Sequence, residues 1–116
     1  MKHSKEQLEA MSDFEINCVV TSIADECDYS QWAVSEDGAL FYHCGIDGSQ
    51  YHSVDILDYC TSIEDMMPLV FEERINLLVT HNGWVAFSEH DTPLESEHKN
   101  PLRAAAIVYI LVKQGD

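Results

Sequence analysis

A chain of 116 residues with 46% apolar side chains has room for one folded domain and too much apolar content for wholesale disorder. Its net charge of -15, from 21 acidic against 6 basic side chains, sets aside direct nucleic-acid binding and docking on anionic membrane, both of which need clustered Lys and Arg. No run approaches the eighteen or so apolar residues a membrane helix needs, so no membrane association is expected.

The acids are distributed rather than blocked. Between Lys5 and Lys99 twenty acidic side chains face a single base, Arg74, and no five acids are consecutive. That pattern reads as the solvated face of a folded core, not as an acidic tail. The opening residues 1–6 lack the apolar centre of a secretion signal. Cys18, Cys27, Cys44 and Cys60 show no paired spacing. A cytoplasmic protein with free thiols is expected.

Residues 1–11 read as a flexible or helical arm. Ser12 with Glu15 forms a capping box, and Ile16, Val19, Val20 and Ile23 repeat at helical spacing, which predicts an amphipathic helix over 13–24. Two short runs, 31–35 and 39–44, flank Glu36-Asp37-Gly38 and predict a hairpin. Residues 45–53, with two glycines, read as a loop, and 54–59 as a short strand or an extended lead. Thr61 and Ser62 are good caps, but Pro68 follows. Proline is tolerated in a first turn and costs about 3 kcal/mol in a helix interior, so the expectation is a turn at 62–66 and a helix from Pro68 to about Glu73.

Residues 74–80 are rich in Ile, Leu and Val and predict a strand. His81-Asn82-Gly83 is a turn, residues 84–88 are the returning strand, and 89–99 read as a polar loop. Asn100 caps and Pro101 opens a last helix whose run 104–112 is apolar all round, which only burial explains. The expected architecture is a single α+β domain over 1–116: a small antiparallel sheet of two hairpins packed against helices, with a buried C-terminal helix.

Three segments carry a family resemblance. Asp58-Tyr59-Cys60-Thr61-Ser62-Ile63-Glu64-Asp65-Met66-Met67-Pro68-Leu69-Val70-Phe71-Glu72-Glu73-Arg74-Ile75, Trp84-Val85-Ala86, and Asn100-Pro101-Leu102-Arg103-Ala104-Ala105-Ala106-Ile107-Val108-Tyr109 together resemble the small NinX-like proteins of lambdoid phages and prophages. The opening Ser12-Asp13-Phe14-Glu15-Ile16-Asn17 is similar to the start of some members. Where the family pattern often has Gly-Gly before the proline, this chain has Met66-Met67. The resemblance implies a phage or prophage accessory protein and no established activity.

The chemistry-bearing residues do not form a recognisable catalytic motif. His43, Cys44, His52, Cys60, His81 and His90 lack the two short-spaced pairs of a structural zinc site, so no metal and no cofactor is expected. Cys60 precedes a helix start, which would lower its pKa, but the crowd of carboxylates would raise it, and thiol catalysis is not expected. Asp55 with Asp58, Glu64 with Asp65, Glu72 with Glu73, and Glu95 with Glu97 are pairs that so acidic a chain produces by chance. What remains is a non-enzymatic acidic module that binds a basic host or phage protein. The alternative is a DNA mimic that inhibits a host or defence nucleic-acid-binding protein; a small enzyme comes last. The candidate partner-binding residues are Glu36, Asp37 and Asp47 around the first hairpin, with Trp32 and Tyr51 as exposed aromatics.

Overall fold

The structure, a computed structural model, describes residues 2–27, 29, 32–44, 50–89 and 94–115, with the backbone alone for residues 43, 44 and 50–52. In chain order the elements are α1 (Lys5–Ala10), α2 (Asp13–Ala24), β1 (Ala33–Val34), β2 (Leu40–Cys44), β3 (Gln50–Asp55), α3 (Ile63–Glu72), β4 (Asn76–Thr80), β5 (Gly83–Phe87), β6 (Glu95–His98) and α4 (Pro101–Gln114). The fold is α+β. Among the described residues two three-stranded antiparallel sheets, ordered β1-β2-β3 and β4-β5-β6, accompany four helices. No helix among the described residues is long and apolar enough to cross a membrane.

The core forms around α4. Asn100 accepts the Leu102 N–H through its side chain, Pro101 takes the first helical position, and residues 102 to 110 are all buried. Helices α1, α2 and α3 and the strands β5 and β6 pack on α4. Its three consecutive alanines, Ala104, Ala105 and Ala106, are fully buried, and their small side chains let neighbours approach from every side. From α2, Ile16 and Val20 enter this core completely, whereas Val19 and Ile23, on the same expected stripe, are half-buried.

The N-terminal arm resolves into α1, closed by a Ser4–Gln7 capping box, with Leu8 fully buried. A second box joins Ser12 and Glu15 at the start of α2, where the sequence places it.

Three expectations are corrected. Helix α3 starts at Ile63, not Pro68, and holds Pro68 in its second turn. The Ser62 hydroxyl accepts the Asp65 N–H, Glu64 and Asp65 favour the helix start, and Met66 and Val70 are buried. Together these offset the hydrogen bond that proline removes. Part of the segment read as a loop is strand β3, paired with β2 from Leu40↔Asp55 to Cys44↔Gln50. Part of the polar stretch read as a loop is strand β6, paired with β5 from Trp84↔His98 to Phe87↔Glu95. Each expected hairpin thus gains a third strand, and the two remain separate sheets.

Helices α2 and α3 end alike. Cys27 N–H reaches Ser22 C=O and Ile75 N–H reaches Val70 C=O, while Glu26 and Arg74 adopt φ of 54° and 53°. These are Schellman closures with charged residues at the left-handed position where glycine is the default. The β4–β5 turn consists of His81 and Asn82, because Thr80 pairs with Gly83. Gly83 opens β5 with φ +153°, and a Cβ there would lie 2.7 Å from the His98 carbonyl oxygen.

Candidate functional site

The β1–β2 turn carries the first group of candidate residues. Ser35 N–H bonds to Leu40 C=O and Gly38 N–H to Ser35 C=O, which closes a loop with Glu36 and Asp37 at its exposed tip. The Asp37 carboxylate accepts the Ser35 hydroxyl at 2.6 Å and the Ala39 N–H at 3.0 Å. The Ser35 and Ala39 bonds hold its pKa below the usual carboxylate value. Gly38 has φ +72°, a conformation that favours glycine, and a Cβ on it would stand 3.2 Å from the Phe14 ring, so the turn rests closely against α2.

The aromatic candidates divide. Trp32 is half-buried, with its ring edge-on to Tyr29 at 4.9 Å and 86°. Tyr29 stacks on Phe41 at 4.7 Å, and both are buried. Trp32 is therefore the outer member of an aromatic cluster, half-buried rather than exposed as expected. Tyr51 lies on β3 where the register shifts, since His43 pairs with His52 and Cys44 with Gln50, so it occupies a β-bulge. The description of Tyr51 stops at its backbone, and Asp47 lies outside the described residues.

Beside this cluster is a cleft of about 640 Å³, which sequence reasoning missed. Cys18, Val19 and Ile23 of α2 line one wall, and Tyr29 and Phe41 line another. Val19 and Ile23 belong to the apolar stripe of α2, and periodicity cannot tell a stripe that is wholly buried from one that borders an open groove. Burial, and then the Glu15 carboxylate, pushes the Cys18 thiol up to about 11, so it stays protonated at neutral pH. Cys60 is fully buried, and its thiol is pushed up to about 12, first by burial and then by Asp13. Neither is an activated nucleophile. Among the described residues no three His, Cys, Asp or Glu side chains converge as a metal site would require.

Two polar residues, Asn17 and Arg103, make contacts that the sequence does not announce, and Asn100 makes one beyond its expected cap. Asn17 donates to Asp58 and accepts the Cys60 N–H, fastening α2 to the segment before α3. Asn100, besides capping α4, donates to the Cys60 carbonyl at 2.6 Å. Arg103 is buried inside α4's packing surface. Its guanidinium meets Asp13 at 2.7 Å and the Met11, Glu9 and Leu8 carbonyls at 2.6, 3.3 and 3.5 Å. It caps the C-terminal end of α1, where the Leu8 carbonyl also accepts the Met11 N–H. The charge-poor neighbourhood of Arg103 was the one available signal: an arginine leading an otherwise apolar helix must find carbonyls or a carboxylate.

The surface charge completes the picture. Of the described acids between positions 6 and 97, none is buried; Asp65 and Glu73 are half-buried and the rest are exposed. Among the described residues two ion pairs occur, Arg103–Asp13 and Lys113–Glu73, so nearly all of this negative charge is uncompensated. Comparison with protein-family models, with curated proteins and with solved structures finds no match.

Proposed function

We propose that this chain is a non-enzymatic, acidic protein-binding module whose partner presents a basic surface, acting in the phage or prophage setting that its NinX-like resemblance suggests. One observation carries the reading: the described acids of residues 6–97 stand at the surface, and only two are paired with a base. Unpaired exposed carboxylates raise the local concentration of a basic partner and repel acidic ones, which is a device for fast and selective encounter.

The shape lends a second reading some support. The molecule measures 53 × 27 × 24 Å, and fifteen net charges over 53 Å is one per about 3.5 Å of length. A rod-like acidic body suits a mimic that fills the groove of a nucleic-acid-binding protein. Duplex DNA, however, carries one charge per about 1.7 Å, so the density here is half that of the duplex. An adaptor for a basic protein remains the reading of choice.

The test is affinity capture from a bacterial lysate at low and high salt, followed by association kinetics with the captured protein. Reversing Glu36, Asp37 and Asp47 together to Lys should slow association about tenfold at low salt and change dissociation less. Single reversals should matter little, because exposed charges contribute weakly one at a time. A strongly acidic partner, or an affinity indifferent to salt, would show that the acidity serves solubility alone.

A further inference from the structure

The two sheets have four edge strands, β1, β3, β4 and β6. Folded proteins blunt such edges with charge, proline, bulges or shortness, since an open edge is a template for another strand. Three edges here are blunted. β1 has two residues, β3 pairs through the shift at His43/Cys44, and β6 is four residues long with Glu95 and Glu97 exposed. β4 has none of these protections. Its five residues, Asn76-Leu77-Leu78-Val79-Thr80, pair with β5 in unbroken register and include no charge and no proline. Leu78 and Val79 are 56% and 64% exposed. The strand also lies in residues 75–88, a stretch with no Asp, Glu, Lys or Arg in a chain of net charge -15.

We infer that β4 is a self-association edge, through which two copies of this chain pair antiparallel about a two-fold axis at Leu78. The choice of occupant rests on charge and on the strand's own symmetry. A basic partner is drawn to the carboxylates elsewhere and gains no Coulomb energy at a neutral strand. A second copy offers the matching surface. In antiparallel pairing centred on Leu78, Leu78 meets Leu78, Leu77 meets Val79 and Asn76 meets Thr80: apolar opposes apolar in the middle and polar opposes polar at both ends. Continued outward, Arg74 meets Asn82, and no acid opposes an acid.

The result is one six-stranded sheet. Leu78 shares a row with Val85 and Glu97, on the face opposite the row of half-buried Leu77 and buried Ala86 and Ser96. The two copies therefore join their Leu78 and Val85 side chains into one apolar strip. The β6 strands, with Glu95 and Glu97, are left at the far edges. Five inter-strand spacings of about 4.8 Å set those strands about 24 Å apart, beyond the Debye length of about 8 Å at physiological salt. An isologous contact of this kind closes at two copies.

Sedimentation equilibrium over a wide concentration range, at low and high salt, tests the inference. The wild-type chain should pass from monomer to dimer, with the dimer strengthened by salt because the two bodies repel. This is the opposite of the salt response expected for a basic partner, so the two proposals fail separately. Leu78→Lys should weaken the dimer at least about tenfold by losing apolar burial and opposing two lysines at the axis. Val79→Lys, at the more exposed position, provides a second route should the first variant lose its fold. Each folded variant should keep the circular dichroism spectrum of the monomer. A wild-type chain that stays monomeric at high concentration and high salt overturns the inference. So does a dimer untouched by either folded variant, or open-ended growth beyond two copies.

Discussion

Arg103 shows how one side chain can hold several elements. It sits on α4, pairs with Asp13 at the start of α2, and donates to the Leu8, Glu9 and Met11 carbonyls at the end of α1. Arg103→Met keeps the apolar stem but strands those carbonyls, so the urea unfolding midpoint should fall by the equivalent of about 2–4 kcal/mol with an unchanged m-value. The thiols make a second residue-level prediction. Cys18 and Cys60 titrate at about 11 and about 12 in the fold against an ordinary 9.0. The native state thus holds its protons after the unfolded chain has lost them. Their contribution to stability is complete below pH 9 and disappears as pH rises from about 9 through 11 to 12. Urea midpoints measured at rising pH should drop through that window, and Cys60→Ala should remove part of the slope.

Helix α3 is the element whose sequence and structure disagree most plainly. Local rules start it at Pro68 because a proline in the second turn leaves the carbonyl four residues earlier without an N–H. Burial of Met66 on one side of the proline and Val70 on the other carries the helix through it. The missing N–H remains a cost, so Pro68→Ala should raise stability by about 1 kcal/mol or more, read from a higher thermal midpoint. A lower midpoint would mean that the proline's restriction of the unfolded chain outweighs its cost in the helix. The third strands reflect the same limit of local rules. Residues 95–98, Glu-Ser-Glu-His, have little β-propensity, and β6 exists because Ser96 fits under α4 while both glutamates face out.

At the scale of the whole molecule, charge opposes the packing. The exposed acids repel one another across a body only 27 × 24 Å in section, and two ion pairs among the described residues offset little of that. Added sodium chloride should therefore raise the thermal midpoint steadily, most steeply at low ionic strength where screening changes fastest. A midpoint indifferent to salt would mean that the acids are far enough apart to be screened already by water.

The sequence by itself determined what depends on neighbours along the chain. The capping boxes and their spacing set where α2 begins, Asn100-Pro101 set where α4 begins, Glu36-Asp37-Gly38 set the first turn, and the apolar run 104–112 marked the central helix. Net charge is likewise read from the sequence alone, and the proposal of a basic partner rests on it. Only the tertiary structure decided the rest, because it depends on residues far apart in sequence. Arg103 finds its carbonyls more than ninety positions away. The cleft beside Cys18 exists because β2 brings Phe41 across from α2. β4 is an edge because its sheet continues on the far side of β5, where β6 pairs, and not beyond β4. Local chemistry sets propensities and ends, whereas pairing, burial and open edges are settled by what the folded chain places next to what.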